Sequence, residues 1–586
     1  MRTLAPWCCW LFPVILWGCQ ALEGSSASGY PAGAGGGSPF GGGAGVAPTS
    51  PTQLPPLSGA PTGAAGPINP GRVVAHRLNK VEYDNTIRDL IGVDLKPSVK
   101  FGFPDDNYVE GFDNNAQALT ASPLLLEKYE LAVDAIVAAA LDTSPANAAI
   151  RSRVMVCDPQ SAGAMSCATQ ILDGFATRAF RRPVPAAEVA PYTALLATAT
   201  SLGDGFEQGI AAGLKAMLLS PKFLFRVEQN PPPGQVGQLG PYEVASRLSY
   251  FIWSSMPDAE LFQKAADQSL TQPDEMKKQV ARMLQDPKGT TLMENLAGEW
   301  LGSRELTVKQ ITLTDFVFDD PLRDAMGQEA TLFLRELLTG NHPVTDLVGT
   351  DFAIVNRRLA DHYGLPTASS LGDAFQLVPL TDDKRRGGVL TQANFLTVTS
   401  QRDRTSPTRR GKWISENLLC VVIPPPPPKI PELVPNDVTM PTTVRDRLAA
   451  HRQKGTACNG CHQYMDPLGL GFEHYDTVGR YRDTDLGVAI DATGEFPITG
   501  VPFDGAISLA NALKADDRLG DCVIRKFLTY ALGRGLNLSP APMDPIDDVA
   551  AFADLKARLL ADSNRMSSLV ELISQSPLMN MRVGEL

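Results

Sequence analysis

Two cysteines stand three positions apart near residue 460, and a histidine directly follows the second one. The stretch 456–462 reads TACNGCH. In a helical turn Cys458, Cys461 and His462 take positions i, i+3 and i+4, so their side chains share one face. A covalently bound haem needs that arrangement, because two thiols attach the porphyrin and an imidazole binds its iron. Zinc sites and redox-active disulfides use the same cysteine spacing.

The sequence around the motif favours haem over those alternatives. Zinc requires four ligands, and the remaining candidates, Cys420, Cys522 and His451, show no paired spacing. A thioredoxin-like pair follows a strand within a βαβ pattern, and no such pattern precedes the motif. We therefore predict one haem c, attached through both motif cysteines, with His462 as the proximal ligand of its iron.

The sixth position of the iron decides what such a haem does, and the sequence names no ligand for it. Weak candidates are Met465, His474 and Met581, and helix packing is the better interpretation of Met465. His451 is interpreted as a surface or core histidine. A methionine or histidine ligand gives a six-coordinate centre that suits electron transfer, whereas an open position permits chemistry on peroxide or another small molecule.

The N-terminus predicts export. Residues 1–19, MRTLAPWCCWLFPVILWGC, contain one basic residue and then an apolar run too short to span a bilayer, which is typical of a signal peptide. Their end, LWGC, resembles a bacterial lipobox with Cys19 as the lipidated residue. Cleavage without lipidation is the alternative, because Trp17 is bulky for its place. Residues 20–71 are rich in Gly, Pro and Ser, so we expect a disordered tether.

These two segments place the protein in the periplasm or at the cell surface, held to a bacterial membrane through a lipid anchor only. The remaining cysteines fit an oxidising compartment. After Cys19, and apart from the two motif cysteines, the chain has four cysteines. We predict that they form the disulfides Cys157–Cys167 and Cys420–Cys522. Buried free thiols are the alternative for each pair.

The body of the chain has helical periodicity. Capping patterns start helices near residues 79–82 and 122–123, and the clearest extended segments are 352–355 and 376–380. The predicted fold class is mainly α, with several helical domains and a haem-binding C-terminal region. The predicted domains are 72–145, 146–230, 238–305, 320–430, which ends in the polyproline segment 423–431, and the haem-binding 431–586.

Charge limits the partners of the protein. Acidic residues outnumber basic ones by 64 to 52 and no basic tract interrupts this balance, so we expect no nucleic-acid partner. The acidic pairs Asp105–Asp106 and Asp547–Asp548 are expected to be solvated. Six arginines flank the motif and either bind the haem propionates or pair with neighbouring carboxylates. They are Arg402, Arg404, Arg409, Arg410, Arg480 and Arg482.

The order of several longer motifs resembles a known family. These motifs include RLNKVEYDNTIRDLIG (77–92), FPDDNYVEGFDNN (103–115), TSPTRRGKWISENLL (405–419), CNGCHQYMDPLGLGFEHYD (458–476) and FLTYALGR (527–534). The chain resembles the multidomain planctomycete-type cytochrome c proteins, which concatenate domains of unknown function. The resemblance covers residues 72–586 and implies an exported, haem c-associated protein with a cytochrome c-like C-terminal region.

Three functions follow as hypotheses. The first is an exported lipoprotein that transfers electrons to an unidentified redox partner through one haem. The second is a haem-dependent oxidase or peroxidase that acts on an extracellular substrate through an open iron position. The third is a structural or binding lipoprotein of the cell surface that carries no haem.

Overall fold

The computed structural model describes residues 69–71, 75–380, 385–424, 442–452, 456–497, 499–539 and 547–584. The predicted signal peptide, Cys19, the tether up to residue 68 and residues 425–431 of the polyproline segment lie outside them, as does the side chain of Cys458. The described chain is mainly α, as predicted. Within these ranges no helix combines the length and the apolar character needed to cross a membrane.

A first group of elements packs around its own apolar core. It comprises β1 (His76–Arg77), α1 (Lys80–Ile91), α2 (Pro97–Lys100), α3 (Pro123–Leu141), α4 (Ala148–Ser152), α5 (Pro159–Ala162), α6 (Ala164–Ala179), α7 (Ala186–Ser201), α8 (Phe206–Leu218), α9 (Pro221–Leu224) and β2 (Phe225–Arg226). Asn79 and Glu82 form a capping box at the start of α1, and Ser122 caps α3. Both predicted helix starts are confirmed.

The second group contains the longest described helix and the two predicted strands. It comprises β3 (Val236–Gln238), α10 (Pro241–Trp253), α11 (Ala259–Ala266), α12 (Pro273–Gln285), α13 (Thr290–Asn295), α14 (Asp320–Thr339), β4 (Phe352–Val355), α15 (Arg357–Tyr363), β5 (Gln376–Pro379), α16 (Ala393–Val398) and α17 (Pro407–Asn417). A π-helical turn, Leu296–Trp300, follows α13. Strands β4 and β5 pair antiparallel, Phe352 opposite Pro379, which confirms both predicted extended segments.

The third group carries the haem motif. It comprises α18 (Val444–Arg452), α19 (Thr456–Leu470), β6 (Thr484–Asp485), β7 (Val488–Ala489), β8 (Thr493–Glu495), β9 (Pro502–Asp504), α20 (Gly505–Lys514), α21 (Asp517–Leu532), α22 (Val549–Ala561), α23 (Met566–Gln575), α24 (Pro577–Asn580) and β10 (Met581–Val583). Strand β10 returns to pair with β3. One apolar core contains residues between Leu239 and Met579 together with Phe112 of the first group, and it joins the second and third groups.

Both predicted disulfides are present. Cys157 bonds to Cys167 within the first group, and Cys420, just after α17, bonds to Cys522 in α21. The second bond therefore ties the segment that leaves α17 to a helix of the large core. Disulfides of this kind are typical of exported proteins.

Two buried ion pairs contradict the expectation that the acidic pairs are solvated. Asp106 is 4% exposed and accepts a 2.5 Å hydrogen bond from Arg77. Asp548 is fully buried, and its two oxygens accept hydrogen bonds of 2.8 and 2.9 Å from Arg534. The sequence expectation was wrong for these residues because their cationic partners lie 29 and 14 positions away, beyond local sequence spacing.

The end of the predicted tether packs on the folded body. The Pro70 carbonyl accepts a hydrogen bond from Arg534, and the Gly71 carbonyl accepts one of 3.0 Å from the backbone N–H of Val583 in β10. Pro70 and Gly71 are both buried. The chain thus enters the folded body beside its last strand.

Candidate functional site

Helix α19 carries the whole haem motif, as the spacing of its residues predicts. It begins at Thr456, before the first cysteine, and continues to Leu470 despite Pro467 in its last turns. Cys461 holds a free thiol and is half-buried against the large core. Its sulfur is therefore available for a thioether bond.

His462 is oriented by a buried carboxylate one turn further along the same helix. Its Nδ1 lies 3.0 and 3.1 Å from the two carboxylate oxygens of Asp466. The Asp466 side chain is fully buried, and that of His462 is 17% exposed. A carboxylate only accepts hydrogen bonds, so Nδ1 carries the proton of this contact, and Nε2 is the ring nitrogen left for another partner. Metal-binding histidines commonly have this partner.

Asp466 is itself held from two directions. The Thr408 hydroxyl, at the start of α17, donates a 2.8 Å hydrogen bond to its Oδ1. Arg452, the last residue of α18, has its guanidinium 3.9 Å from the other oxygen. Three helices thus fix the orientation of the His462 ring.

Two glycines allow α17 and α19 to cross at close range. A methyl group at Gly411 would overlap the carbonyl of Met465, and one at Gly469 would overlap the carbonyl of Pro407. The two backbones touch because neither glycine has a side chain. This contact brings Thr408 within reach of Asp466.

The three residues that the sequence offers as weak candidates for the sixth iron ligand lie in different parts of the structure. Met465 is 6% exposed and packs in the large core. Nδ1 of His474 donates a 2.9 Å hydrogen bond to the carbonyl of Arg482, and its ring stacks on Tyr481. Met581 lies in β10, opposite Gln238 of β3.

The ring beside His462 is that of His451. Their ring centroids are 5.5 Å apart, and among the described residues His451 is the aromatic neighbour of His462. The sequence interpretation overlooked this proximity. A helical pattern could have indicated it, because Val444, Leu448 and His451 stand at i, i+4 and i+7 and share one face of α18.

The arginines near the motif mainly support the fold. Arg410 is fully buried and donates to the carbonyls of Phe472, Tyr475 and Asp476 at 2.7, 3.0 and 2.9 Å. Burial lowers the pKa of its guanidinium to about 10. Arg480 pairs with Asp476 at 2.6 Å. These contacts hold the loop after α19. They agree with the alternative interpretation, in which the arginines pair with groups of the protein instead of haem propionates.

Three more of the six arginines also have contacts within the protein. Arg482 lies 2.7 Å from Asp485, Arg404 lies 3.5 Å from Asp403, and Arg409 donates to the Ser400 carbonyl at 3.4 Å. Arg404 and Asp403 are each more than half exposed, so their pair contributes little to stability.

Five protein-family models match consecutive parts of the chain. All are described as "Protein of unknown function", and they are DUF1587 (residues 76–142), DUF1595 (167–228), DUF1592 (239–365), DUF1588 (386–485) and DUF1585 (499–579). The chain carries the planctomycete cytochrome c-type domain set. No curated protein and no solved structure matches the chain significantly.

The residues of the candidate site fall within one of the matched segments. The match to DUF1588 includes α17, the haem motif and Asp466, and the match to DUF1585 includes the second half of the long disulfide, Cys522. Both families are associated with cytochrome c-like proteins. The matched segments agree in order with the resemblance seen in the sequence.

Proposed function

We propose that this chain is an exported, lipid-anchored c-type haem protein that transfers electrons through a single covalent haem. The observation that carries the proposal is the His462–Asp466 pair, because it leaves Nε2 of a fixed imidazole free to bind a metal. The free thiol of Cys461, the residue before His462 in the helix, supports it.

The protein residues have distinct roles in this proposal. Cys458 and Cys461 would hold the porphyrin through thioether bonds, and His462 would bind its iron. The haem supplies a reversible one-electron couple when bound. Asp466 and Thr408 keep the His462 ring in one orientation, and the buried carboxylate strengthens the imidazole as an electron donor. A stronger donor favours the ferric state, so we expect a low reduction potential.

The proposed location rests on the N-terminus and the disulfides. Cys19 would carry the lipid, and residues 20–68 would span the distance from the membrane to the folded body. Two disulfides support an oxidising compartment. Replacing Cys19 with Ser should move the protein from the membrane fraction to the soluble fraction, and its retention at the membrane would contradict the anchor.

Haem staining and a redox-difference spectrum of the purified protein test the proposal. The wild type should show a covalently bound haem, and Cys461→Ser should lose normal attachment. The matched control is the double variant Cys157→Ser/Cys167→Ser, which removes two cysteines far from the motif and should keep the haem.

The outcomes separate the three hypotheses. A wild type without covalent haem would leave the non-haem lipoprotein as the remaining function. A high-spin haem that reacts with added peroxide would favour the oxidase or peroxidase, since an open iron position permits that chemistry. A low-spin haem that ignores peroxide supports electron transfer.

A further inference from the structure

We propose that His451 is the second protein ligand of the haem iron, on the side opposite His462. This inference rests on the proposed function, because it concerns the same haem. It names the ligand that determines whether the iron can react with small molecules.

The two imidazoles lie at a separation that suits a shared metal ion. Their ring centroids are 5.5 Å apart, and the ring planes make an angle of 58°. Two imidazoles bound to one metal ion, each at about 2 Å from it, have ring centres about 6 Å apart. The observed separation is close to that distance, so the two histidines are near enough to share an ion with α18 in its present packing.

His451 also differs from the other histidines in its hydrogen bonding. The chain has six histidines. His76, His342, His362, His462 and His474 each have a hydrogen-bonding partner. His451 is 9% exposed, and no hydrogen bond joins it to any other group of the described chain. Its ring nitrogens are not among the fully buried unpaired polar atoms of the described chain, so they are accessible and open to a ligand.

The position of His451 is fixed by the packing of α18. Val444 and Leu448 share a small apolar cluster with Leu470 of α19. At the same end of the helix, Arg445 donates hydrogen bonds of 3.0 and 2.5 Å to the carbonyls of Asp491 and Thr493. These contacts anchor the first turns of α18, and the face they define carries His451 in its last turn, against α19.

The same geometry disfavours a zinc site built on these histidines. Cys461, His451 and His462 are all described, and within the described chain no three His, Cys, Asp or Glu side chains gather as metal ligands. A haem does not require such a cluster, because its thioethers form at the porphyrin edge and its axial ligands bind the central iron.

Two imidazole ligands give the proposed function a specific form. With both axial positions occupied by protein, peroxide and other small molecules have no open site on the iron. The centre would then act as an electron carrier. His451 comes from a short helix followed directly by the motif, so one segment of 19 residues, 444–462, would supply both axial ligands and both thioether cysteines.

Electron paramagnetic resonance and optical spectra of the purified ferric protein test the proposal. The wild type should show a low-spin haem with two imidazole ligands. His451→Ala should keep covalent haem stain, lose the low-spin signal, become high-spin, and regain the low-spin signal when free imidazole is added. The matched control is His474→Ala, which removes a hydrogen-bonded imidazole and should leave the spectrum unchanged.

The possible results are distinguishable. A wild type with no covalent haem overturns the proposed function itself. A wild type with haem whose spectrum shows a methionine-sulfur ligand or a high-spin iron overturns the role of His451 alone, and this result needs no variant. An unchanged low-spin signal in His451→Ala overturns it too.

Discussion

Two aspartates in the described part of the chain are fully buried, and they have different partners. Asp548 faces Arg534, which donates one hydrogen bond to each of its oxygens. Asp466 faces His462 and Thr408, and the guanidinium of Arg452 is more distant, at 3.9 Å. The first carboxylate is neutralised by a permanent cation, and the second orients an imidazole.

The comparison shows which kind of buried charge indicates function. The Arg534–Asp548 pair also accepts the backbone N–H of Asn537 and reaches the Pro70 carbonyl, so its polar groups are occupied within the protein. The His462–Asp466 pair leaves one ring nitrogen without a partner among the described residues. A closed pair of this kind stabilises the fold, and an open one can bind a ligand.

The largest expected loss of stability comes from breaking the Arg534–Asp548 pair. Arg534→Met leaves the carboxylate of Asp548 buried without a cation, and the free energy of unfolding should fall by about 3–5 kcal/mol. Urea denaturation measures this loss. The double variant Arg534→Met/Asp548→Leu should recover part of it, because no buried charge remains. A loss no larger than that of a surface pair would show that the two side chains are hydrated.

The close crossing beside Asp466 offers the next test. Gly411→Ala places a methyl group against the Met465 carbonyl, so α17 and α19 must separate, at a cost of about 1–3 kcal/mol. Haem content should fall as well, because Thr408 moves away from Asp466. Gly327→Ala in α14 is the control, since its methyl group meets nothing within 4 Å. Equal stability of the two variants would refute the tight crossing.

A change in the His462–Asp466 pair should alter the reduction potential of the proposed haem. Asp466→Asn keeps an acceptor for Nδ1 of His462 but removes the charge that strengthens this imidazole. A 10- to 100-fold change in relative iron affinity corresponds to a rise of about 60–120 mV in the reduction potential. Potentiometric titration measures the rise. Asp485→Asn removes a carboxylate paired with Arg482 as a control, and an equal rise there would indicate general electrostatics.

Another buried carboxylate, Glu329, has neither a cation nor an imidazole in contact among the described residues. Glu329 accepts a 2.5 Å hydrogen bond from the hydroxyl of Tyr363, and burial raises the pKa of Glu329 to about 8. Between pH 4.5 and about 8, the Glu329 carboxyl is therefore protonated in the folded state and ionised in the unfolded state. The stability from this group is complete below the ordinary pKa of 4.5 and is lost as pH rises through about 8.

The measurement for Glu329 is the unfolding free energy as a function of pH. The decline between these two values should approach at most about 1.4 kcal/mol per pH unit. Glu329→Gln should flatten it, because the amide does not titrate. A decline of the same slope in the variant would assign the pH dependence to other groups.

Local signals in the sequence predicted much of the fold. The capping box at Asn79 and Glu82 lies within four residues, and the alternation in 352–355 is equally local, so both could be recognised without the tertiary structure. The disulfides were predictable because few cysteines remained to pair. The domain division stays a prediction. The large core, which joins Phe112 to residues between Leu239 and Met579, could not be predicted from periodicity.

The candidate site was predictable only in part. The spacing of Cys458, Cys461 and His462 predicts a shared helix, which α19 confirms. Thr408 stands 58 residues from Asp466, and His451 reaches His462 through the packing of two helices, so both relations depend on tertiary structure. Sequence spacing carries no information about such contacts.

The disulfides also constrain how the chain matures. Cys420 and Cys522 are 102 positions apart and enclose the haem motif, whereas Cys157 and Cys167 close a loop outside it. In the proposed function, one oxidising compartment would have to join these four thiols and leave Cys458 and Cys461 unjoined until haem arrives. Thioether formation would then compete with disulfide exchange, and the yield of holoprotein would depend on which reaction reaches the two motif cysteines first.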